Sequence, residues 1–559
     1  MSSFLRLGRT YRHFRRYREV AMVLFRHQFG DLVRGIGLDR YLPLRKRRQP
    51  SDETAAATKY ERVRLAFEEL GPTFVKLGQF LSTRPDIVPD PMIQEFVKLQ
   101  DEVKPFAGDE VRVIIETELG GKTEELFSDF EWTAHASASI AQVHRAVSRS
   151  GRELAIKVQR PGIRRRVEVD IEIMRDLAGL LESLIEGASL FEPARMVEEF
   201  ARVIRREMDF ATEAANMSRF ARQFEGDKRV RVPSVVRDMT TTRVLTMDYI
   251  HGTKVTSRED MRAANLDPEL LARRGTQLVL EQIFNHGFFH ADPHPGNMLI
   301  CPGNVICFLD YGMMGVLSHR HRHQLSQLIQ GVVEQDEERI TTAVFHLSEY
   351  KQYHRRMEIE TRVATFVQDQ LYRPMRDISV GQIMNDLARL FMEYGIRMPS
   401  DFFLLSKAVT TIEGVGQKLF PEFDSLEEAV PFVRKMYSPK AQARNMASEA
   451  GTFLRDVRSL VRDLPGDLWE VMRLVKHGEF KINFGHRGLE DLIASNEQIT
   501  NRLVVAIVLA ALLVGSSLMT LSGIPPTWHD IPIIGLVGFL VSGVISLWLI
   551  WSILRHGRM

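Results

Sequence analysis

Two stretches near the end of the chain set the strictest limit on its fold. Residues 503–521 read LVVAIVLAALLVGSSLMTL without one charged side chain, and a second such stretch runs from Ile531 to Leu554. At a rise of about 1.5 Å per residue, the first is long enough as a helix to cross a hydrocarbon layer of about 30 Å. The link Ser522–Asp530 holds Pro525 and Pro526 but no Lys or Arg, so a tight turn between antiparallel helices is expected. Arg502 precedes the pair, and Arg555 and Arg558 follow it; by the positive-inside tendency both outer ends face the cytoplasm. The expectation is a transmembrane helical hairpin over residues 501–555, multi-pass in the inner (cytoplasmic) membrane, with the folded part on the cytoplasmic side. The competing arrangement, a buried hairpin of a soluble core, requires helices that are charge-free on every face, which core helices seldom are. Ala511, Gly515, Gly535, Gly538 and Ser542 would let such helices pack closely.

The formal net charge of +2 hides an uneven balance, because residues 1–50 hold thirteen Lys or Arg against three acidic side chains. Between residues 4 and 36, Arg6, Arg9, Arg12, Arg15, Arg16 and Arg18 alternate with Leu5, Tyr11, Phe14, Tyr17, Val20, Met22, Val23 and Phe25. A basic amphipathic helix of this kind suits an anionic membrane surface. A nucleic-acid arm, a mitochondrial presequence and a solvated charged face are the alternatives; the C-terminal hairpin favours the membrane. Arg scattered through every apolar stretch of the first 25 residues argues against a secretory signal peptide. Two cysteines, Cys301 and Cys307, are too few for a disulfide framework and suit a reducing compartment.

The strongest site signal is NHGFFHADPHPGNMLICPGNVICFLDYG at residues 285–312. Protein kinases place an Asn five residues after a catalytic Asp, and a second metal-binding Asp, followed by an aromatic residue and Gly, thirteen residues later. Asp292, Asn297 and Asp310-Tyr311-Gly312 reproduce both intervals. Two short strands, Asn297–Ile300 and Val305–Leu309, joined at Pro302-Gly303-Asn304, would bring Asn297 and Asp310 to one magnesium ion. Hard oxygen ligands suit magnesium on phosphates, and Asp292 would orient or deprotonate the nucleophile. His286, His290 and His294 recur at helical spacing and offer a zinc alternative, but Pro293 and Pro295 interrupt such a helix.

Upstream, Glu153–Gln159 reads as a strand whose Lys157 would hold the nucleotide's α and β phosphates. One of Glu207, Asp209 and Glu213, on a helix expected over 197–222, should pair with it. Arg243–Ile250, running into His251-Gly252, fits the strand that leads to the hinge, where Met247 and Tyr249 would border adenine.

The pattern departs from ordinary protein kinases in three places. Residues 134–144, AHASASIAQVH, stand where a Gly-rich loop is expected; small residues still let backbone N–H groups reach phosphates, with less backbone freedom. Ala291 replaces the usual Arg. After Gly312 only Met313–Leu317 precede an apparent helix, Ser318–Gln330, which leaves almost no platform for a peptide.

Together these departures resemble the UbiB/AarF family of atypical kinases, linked to ubiquinone biosynthesis. The resemblance rests on Leu70–Gln79 with its K-x-G-Q core, continuing through Ser82–Asp86; on the alanine-rich loop Ala136–His144; on Glu207-Met208-Asp209-Phe210 with Glu213, Ala214 and Asn216; and on His290–Asn297. It covers about residues 60–430. It implies a Lys157–Glu213 pair, Asp292 as catalytic carboxylate, Asn297 and Asp310 on magnesium, and phosphates under Ala136, Ser137, Ala138 and Ser139. It also implies that Lys76 and Gln79 fold over the site toward Glu207 and Asp209 in a regulatory role.

The expected fold class is α+β, a protein-kinase-like two-lobe fold with a helical N-terminal extension and the C-terminal hairpin. Its parts would be a basic head and linker (1–58), the extension (59–130), an N-lobe (131–250), a C-lobe (251–430), connecting helices with an extended piece at Phe480–Phe484 (431–500), and the hairpin (501–555). His319-Arg320-His321-Arg322-His323 reads as a solvated cationic helix start. The family resemblance implies an enzyme that uses ATP (or ADP) and Mg and supports ubiquinone synthesis. Membrane lipids, isoprenoid-quinone precursors and quinone-biosynthesis proteins are the expected partners, and nucleic acid is not. A nucleotide-binding scaffold that gates assembly of a biosynthetic complex is the rival.

Overall fold

The computed structural model of the protein describes residues 15–35, residues 58–436 apart from 86, 100–102, 185–191, 335, 349–354, 372–378 and 397, and residues 489–556 apart from 523 and 529–530. The chain forms two compact units, residues 1–446 and 447–559. The expected connecting segment at 431–500, with Phe480–Phe484, lies mostly outside the described residues.

The first unit begins with helix α1 (residues 15–26) and the short α2 (Gly30–Gly35). Here the structure corrects the membrane-surface expectation for the described part of the head. Tyr17, Val20, Ala21 and Val23 of α1 are buried in the main protein core, and only Arg15, Arg18 and Arg26 face outward. Arg16 is buried too: its guanidinium pairs with Asp170 at 2.7 Å and donates to the Leu70 carbonyl at 2.7 Å. A helix whose apolar stripe fits the protein has none left for lipid.

Three helices follow, α3 (Lys59–Leu70), α4 (Pro72–Ser82) and α5 (Asp90–Val97). Thr58 caps α3, and Pro72 suits the first turn of α4, where its missing N–H costs nothing. Gly71 between them has φ +95°, a backbone state that favours glycine. Next come α6 (Gly108–Leu119) and α7 (Thr123–Leu126). Strands β1 (Phe127–Phe130), β2 (Ala136–Ser137), β3 (Ala141–Ser148), β4 (Glu153–Gln159) and β6 (Val244–Asp248) make an antiparallel sheet in the order β1-β3-β4-β6, with β2 on β3. Alternation along β4 puts Leu154, Ile156 and Val158 into a cluster with Val111, Ile114 and Ile115 of α6, and leaves Ala155 and Lys157 for the opposite face.

Helix α8 (Ile163–Leu184) lies between β4 and the region expected to be one helix over 197–222. That region is two helices, α9 (Pro193–Glu207) and α10 (Phe210–Gln223), broken at Met208. Asp209 is why: its carboxylate accepts from the Ala211 N–H at 3.1 Å and starts a new helix.

The rest of this unit is mainly helical. Strands β5 (Val230–Arg231), β7 (Thr253–Lys254), β9 (Met298–Cys301) and β10 (Val305–Phe308) form a small sheet, and β8 (Phe288–His290) pairs with β11 (Met314–Val316). Around them lie α11 (Arg258–Ala263), α12 (Pro268–Leu280), α13 (His319–Glu334), α14 (Glu337–Leu347), α15 (Arg356–Leu371), α16 (Val380–Glu393), α17 (Ser400–Leu419) and α18 (Ser425–Met436). Arg322 on α13 is buried and donates to the carbonyls of Phe284 and Asn285 at 3.0 and 2.7 Å. The solvated reading of the 319–323 alternation therefore fails at Arg322. Both cysteines are buried among apolar neighbours.

In the second unit, helices Leu489–Leu521 and Ile533–His556 pack against each other, joined through the two-residue antiparallel strands Thr527–Trp528 and Ile531–Pro532. Among the described residues one helix, Leu503–Leu521, is long and apolar enough to cross a membrane, with mean hydropathy 2.5; the other contributes a shorter apolar run, Leu536–Leu547. Among the exposed large hydrophobic residues, all but Val97, Val113, Val316 and Met357 lie in this unit.

Candidate active site

Lys157 stands on the inner face of β4, and its Nζ lies 2.8 and 2.9 Å from the two carboxylate oxygens of Glu213 on α10. Of the three carboxylates open to it on sequence, Glu213 is the partner, while Glu207 pairs with Lys76 and Asp209 caps α10. Gln159 secures the junction of α9 and α10 by donating to the Met208 carbonyl at 2.7 Å. Lys157 also lies 3.7 Å from Asp310. Burial works to lower the Lys157 pKa, but the carboxylates of Asp310 and Glu213 outweigh it and raise the value, so the ammonium stays charged. Burial raises Glu213 against the pull of Lys157. Asp310, about half exposed at its side chain, is held low, at about 2, by Lys157 and by the Gly312 N–H, which donates to it at 2.8 Å.

The catalytic-loop candidates are held by backbone and by one histidine. The β8–β11 pairing sets His290 opposite Met314, and the Ala291 N–H donates to the Met313 carbonyl at 3.0 Å. His290 is buried. Its Nδ1 accepts from the Asp292 N–H at 3.1 Å, which leaves Nε2 to donate to the Asp310 carbonyl. One imidazole therefore ties the segments of both acidic residues together. Burial lowers its pKa, which keeps it in the neutral form this bonding requires. Gln282, in a π-helical turn at Glu281–His286, accepts from the His290 N–H at 2.8 Å. Asn297 ends a 3₁₀ turn just before β9; its Nδ2 donates to the Asp292 carbonyl at 3.3 Å, and its carbonyl accepts from the Leu309 N–H at 2.9 Å. Asp292, Asn297 and Asp310 are thus brought together.

No cluster of three or more His, Cys, Asp or Glu among the described residues is gathered to hold a metal. The zinc alternative has no support: both ring nitrogens of His290 are engaged, His294 caps its own turn through Gly296 N–H at 3.1 Å, and His286 packs against Phe224. One ionised carboxylate and one amide oxygen fit magnesium, which fills its remaining positions with water and phosphate oxygens.

The alanine-rich loop is a hairpin on the same sheet. Ala136 pairs with Val143, which pairs with Lys157, and the Ala138 N–H closes the turn on the Ala141 carbonyl at 2.8 Å. Arg160 braces it by donating to Ser137 Oγ and the Ala138 carbonyl at 3.2 and 3.1 Å. The buried hydroxyl of Ser139 has no hydrogen-bond partner. Met247 lies across from Ala155 on β6, and the Tyr249 N–H donates to the Glu153 carbonyl at 3.1 Å.

The extension reaches the same place. Lys76 on α4 pairs with Glu207 at 2.5 Å, and Glu207 in turn lies beside Gly312. The other two regulatory candidates are placed differently from expectation. Gln79 donates to the Leu99 carbonyl at 3.2 Å, and Asp209 is occupied as the cap of α10. Gly78 lies against the Leu99 side chain: a Cβ there would lie 2.2 Å from Leu99 Cδ1, so that side chain would have to shift.

A lysine–glutamate pair under an antiparallel sheet, facing a loop that carries Asp, Asn and a following Asp-aromatic-Gly, defines a protein-kinase-like site. Comparison with known proteins narrows the class. Residues 98–344 match the ABC1 atypical kinase-like domain, 363–424 the UbiB helical domain and 487–555 the ABC1/UbiB kinase-like C-terminal domain. A probable protein kinase UbiB of Xanthomonas campestris is 31% identical over 513 residues, 89% of this chain and 92% of its own length. The one from Pseudomonas putida is 33% identical over 472 residues, 80% and 86%. An uncharacterized protein in the hydrogenase 1 5' region of Clostridium pasteurianum is 31% identical over 503 residues, 89% and 94%. The chain belongs to the UbiB/ABC1 family of atypical kinase-like proteins.

Proposed function

We propose that this protein is a membrane-anchored atypical kinase or ATPase that uses ATP and magnesium to support ubiquinone, or a related isoprenoid-quinone, biosynthesis. The observation that carries this reading is the convergence of Lys157–Glu213 with Asp292, Asn297 and Asp310. Lys157 would hold the α and β phosphates, with Glu213 fixing its position. The backbone of Ala136–Ser139 would cover the phosphates, and the segment from Met247 to Tyr249 would border the adenine. Asn297 and Asp310 would ligate magnesium, which when bound neutralises phosphate charge. Asp292 would orient the acceptor hydroxyl and take its proton. The short Gly312–Ser318 connection leaves little room for a peptide and favours a lipid or small-molecule acceptor. Both C-terminal helices would insert in the inner membrane as a hairpin, with the site on the cytoplasmic side.

Purified full-length Asp292→Asn should lose magnesium-dependent ATP turnover; turnover equal to the parent's would refute the assignment. Quinone profiling of a strain lacking the gene tests the pathway, and an unchanged quinone pool would remove it. The Lys76–Glu207 contact beside Gly312 favours one second reading, a nucleotide-gated scaffold. On that reading Asp292→Asn restores quinone in the deletion strain, whereas a Lys157 variant that cannot bind nucleotide does not.

A further inference from the structure

The catalytic loop, His290–Asn297, contains no Lys or Arg. Asp292 nevertheless faces a cation: Lys407 Nζ lies 3.2 Å from its Oδ1, with both side chains about a quarter exposed, at 27% and 29%. Lys407 comes from α17, more than a hundred residues downstream, and that helix is firmly seated. Phe402, Phe403, Leu405 and Ala408 around it are buried, and Ser406 Oγ lies within hydrogen-bond distance of the Gly381 carbonyl and the Asn385 side-chain amide, at 2.9 and 2.7 Å. Helix α17 also packs on β11, whose partner β8 leads directly into Asp292.

The charges of the cleft divide accordingly. Lys157 is engaged by Glu213 and Asp310, on the side where the α and β phosphates are proposed to lie. On the acceptor side the transferring phosphoryl group would meet the Asp292 carboxylate, two anions that repel unless a cation sits between them.

We propose that Lys407 is a catalytic residue that binds the γ-phosphoryl group beside Asp292 and neutralises the charge that gathers there during transfer. The inference rests on the phosphoryl-transfer reading above. In the step, the acceptor O–H oxygen forms a bond to the γ-phosphorus as the bond from phosphorus to the β–γ bridging oxygen breaks. The electron pair leaves with the nucleoside diphosphate, and the acceptor proton passes to Asp292 and on to solvent. Lys407 contributes a fixed positive charge and exchanges no proton.

The experiment compares full-length Lys407→Met, Lys407→Arg and Asp292→Asn in lipid nanodiscs. Removing one preorganised donor of this kind lowers turnover about 100-fold or more, so Lys407→Met should lose about that much kcat, while KM for ATP rises no more than about tenfold. Its affinity for Mg-ADP should be unchanged, while affinity for a non-hydrolysable ATP analogue falls about five- to tenfold, roughly the weight of one charge-assisted hydrogen bond. Lys407→Arg should restore at least a tenth of the parent's turnover. Turnover of Lys407→Met within threefold of the parent, or equal loss of ADP and analogue affinity, would overturn the proposal. A melting point lowered in both Lys407 variants with no rescue by Arg would reduce the residue to a structural tie and likewise overturn it. Asp292→Asn separates the two claims. If it is inactive while Lys407→Met is normal, only Lys407 is wrong; if it turns over normally, the phosphoryl-transfer reading fails and takes this role with it.

Discussion

Glu213 is only 3% exposed, and its carboxylate has Lys157 against both oxygens. Removing the lysine strands that charge, and breaking a buried pair from one side costs about 3–5 kcal/mol. Lys157→Met should therefore melt several degrees lower and lose nucleotide affinity. Because burial already raises Glu213, the folded variant holds a proton there more tightly than the unfolded chain does. Its stability defect should shrink as pH falls from 8 to 5.5, and Lys157→Met with Glu213→Gln should recover most of the loss at neutral pH; thermal denaturation across that range checks both. His144, buried on β3 between Gln142 and the Glu131 carbonyl, gives the opposite sign. Burial lowers its pKa, so above about pH 6.5 both states are neutral and it has no effect, whereas below that the unfolded chain binds the proton more readily. His144→Gln should flatten the acid-side loss of stability, by at most about 1.4 kcal/mol per pH unit for one group. The spacing of Asp292, Asn297 and Asp310 was readable without coordinates, because one loop and one hairpin hold all three. His290 as the tie between them was not, since its partners are set by which nitrogen each strand reaches.

At the scale of elements, the helical layer behind the catalytic loop depends on close contacts that hydrophobic periodicity does not specify. Gly381 on α16 faces Thr410 on α17 so closely that a Cβ would lie 2.0 Å from Thr410 Oγ1 and 2.8 Å from its backbone nitrogen. The backbone cannot rotate away, so Gly381→Ala must push α17 back, with an expected loss of about 1–3 kcal/mol. Since α17 carries Lys407, turnover should fall with stability in this variant; denaturant titration alongside an ATPase assay would register both. Glu413 on the same helix is buried and accepts from Ser379, Val380 and Ser425, so it holds the starts of α16 and α18. The apolar periodicity of α17 could not show that its Lys407 would meet Asp292. The expected continuous helix over 197–222 failed for a local reason: Asp209 satisfies the first N–H groups of α10 better as a cap than it could within a helix.

At the scale of the molecule, the C-terminal unit concentrates the exposed apolar surface, and Ile507 and Leu512 are among its outward residues. An Arg at the centre of a spanning helix costs about 2.5–3.5 kcal/mol on an insertion scale. Ile507→Arg with Leu512→Arg should move the protein from the carbonate-resistant membrane fraction to the supernatant, and the parent should stay with the membrane; fractionation and immunoblotting read this directly. Sequence alone carried what short-range chemistry carries: two charge-free runs, a loop whose Asp and Asn intervals match those of protein kinases, and turn residues that bound the strands. Tertiary structure decided the long-range pairings. It turned the apolar face of residues 15–26 into the core, chose Glu213 over Glu207 and Asp209 for Lys157, sent Gln79 to Leu99, and set Lys407 beside Asp292. Each of these depends on which surfaces meet once the helices pack, and partners on separate elements leave no periodic trace in the chain.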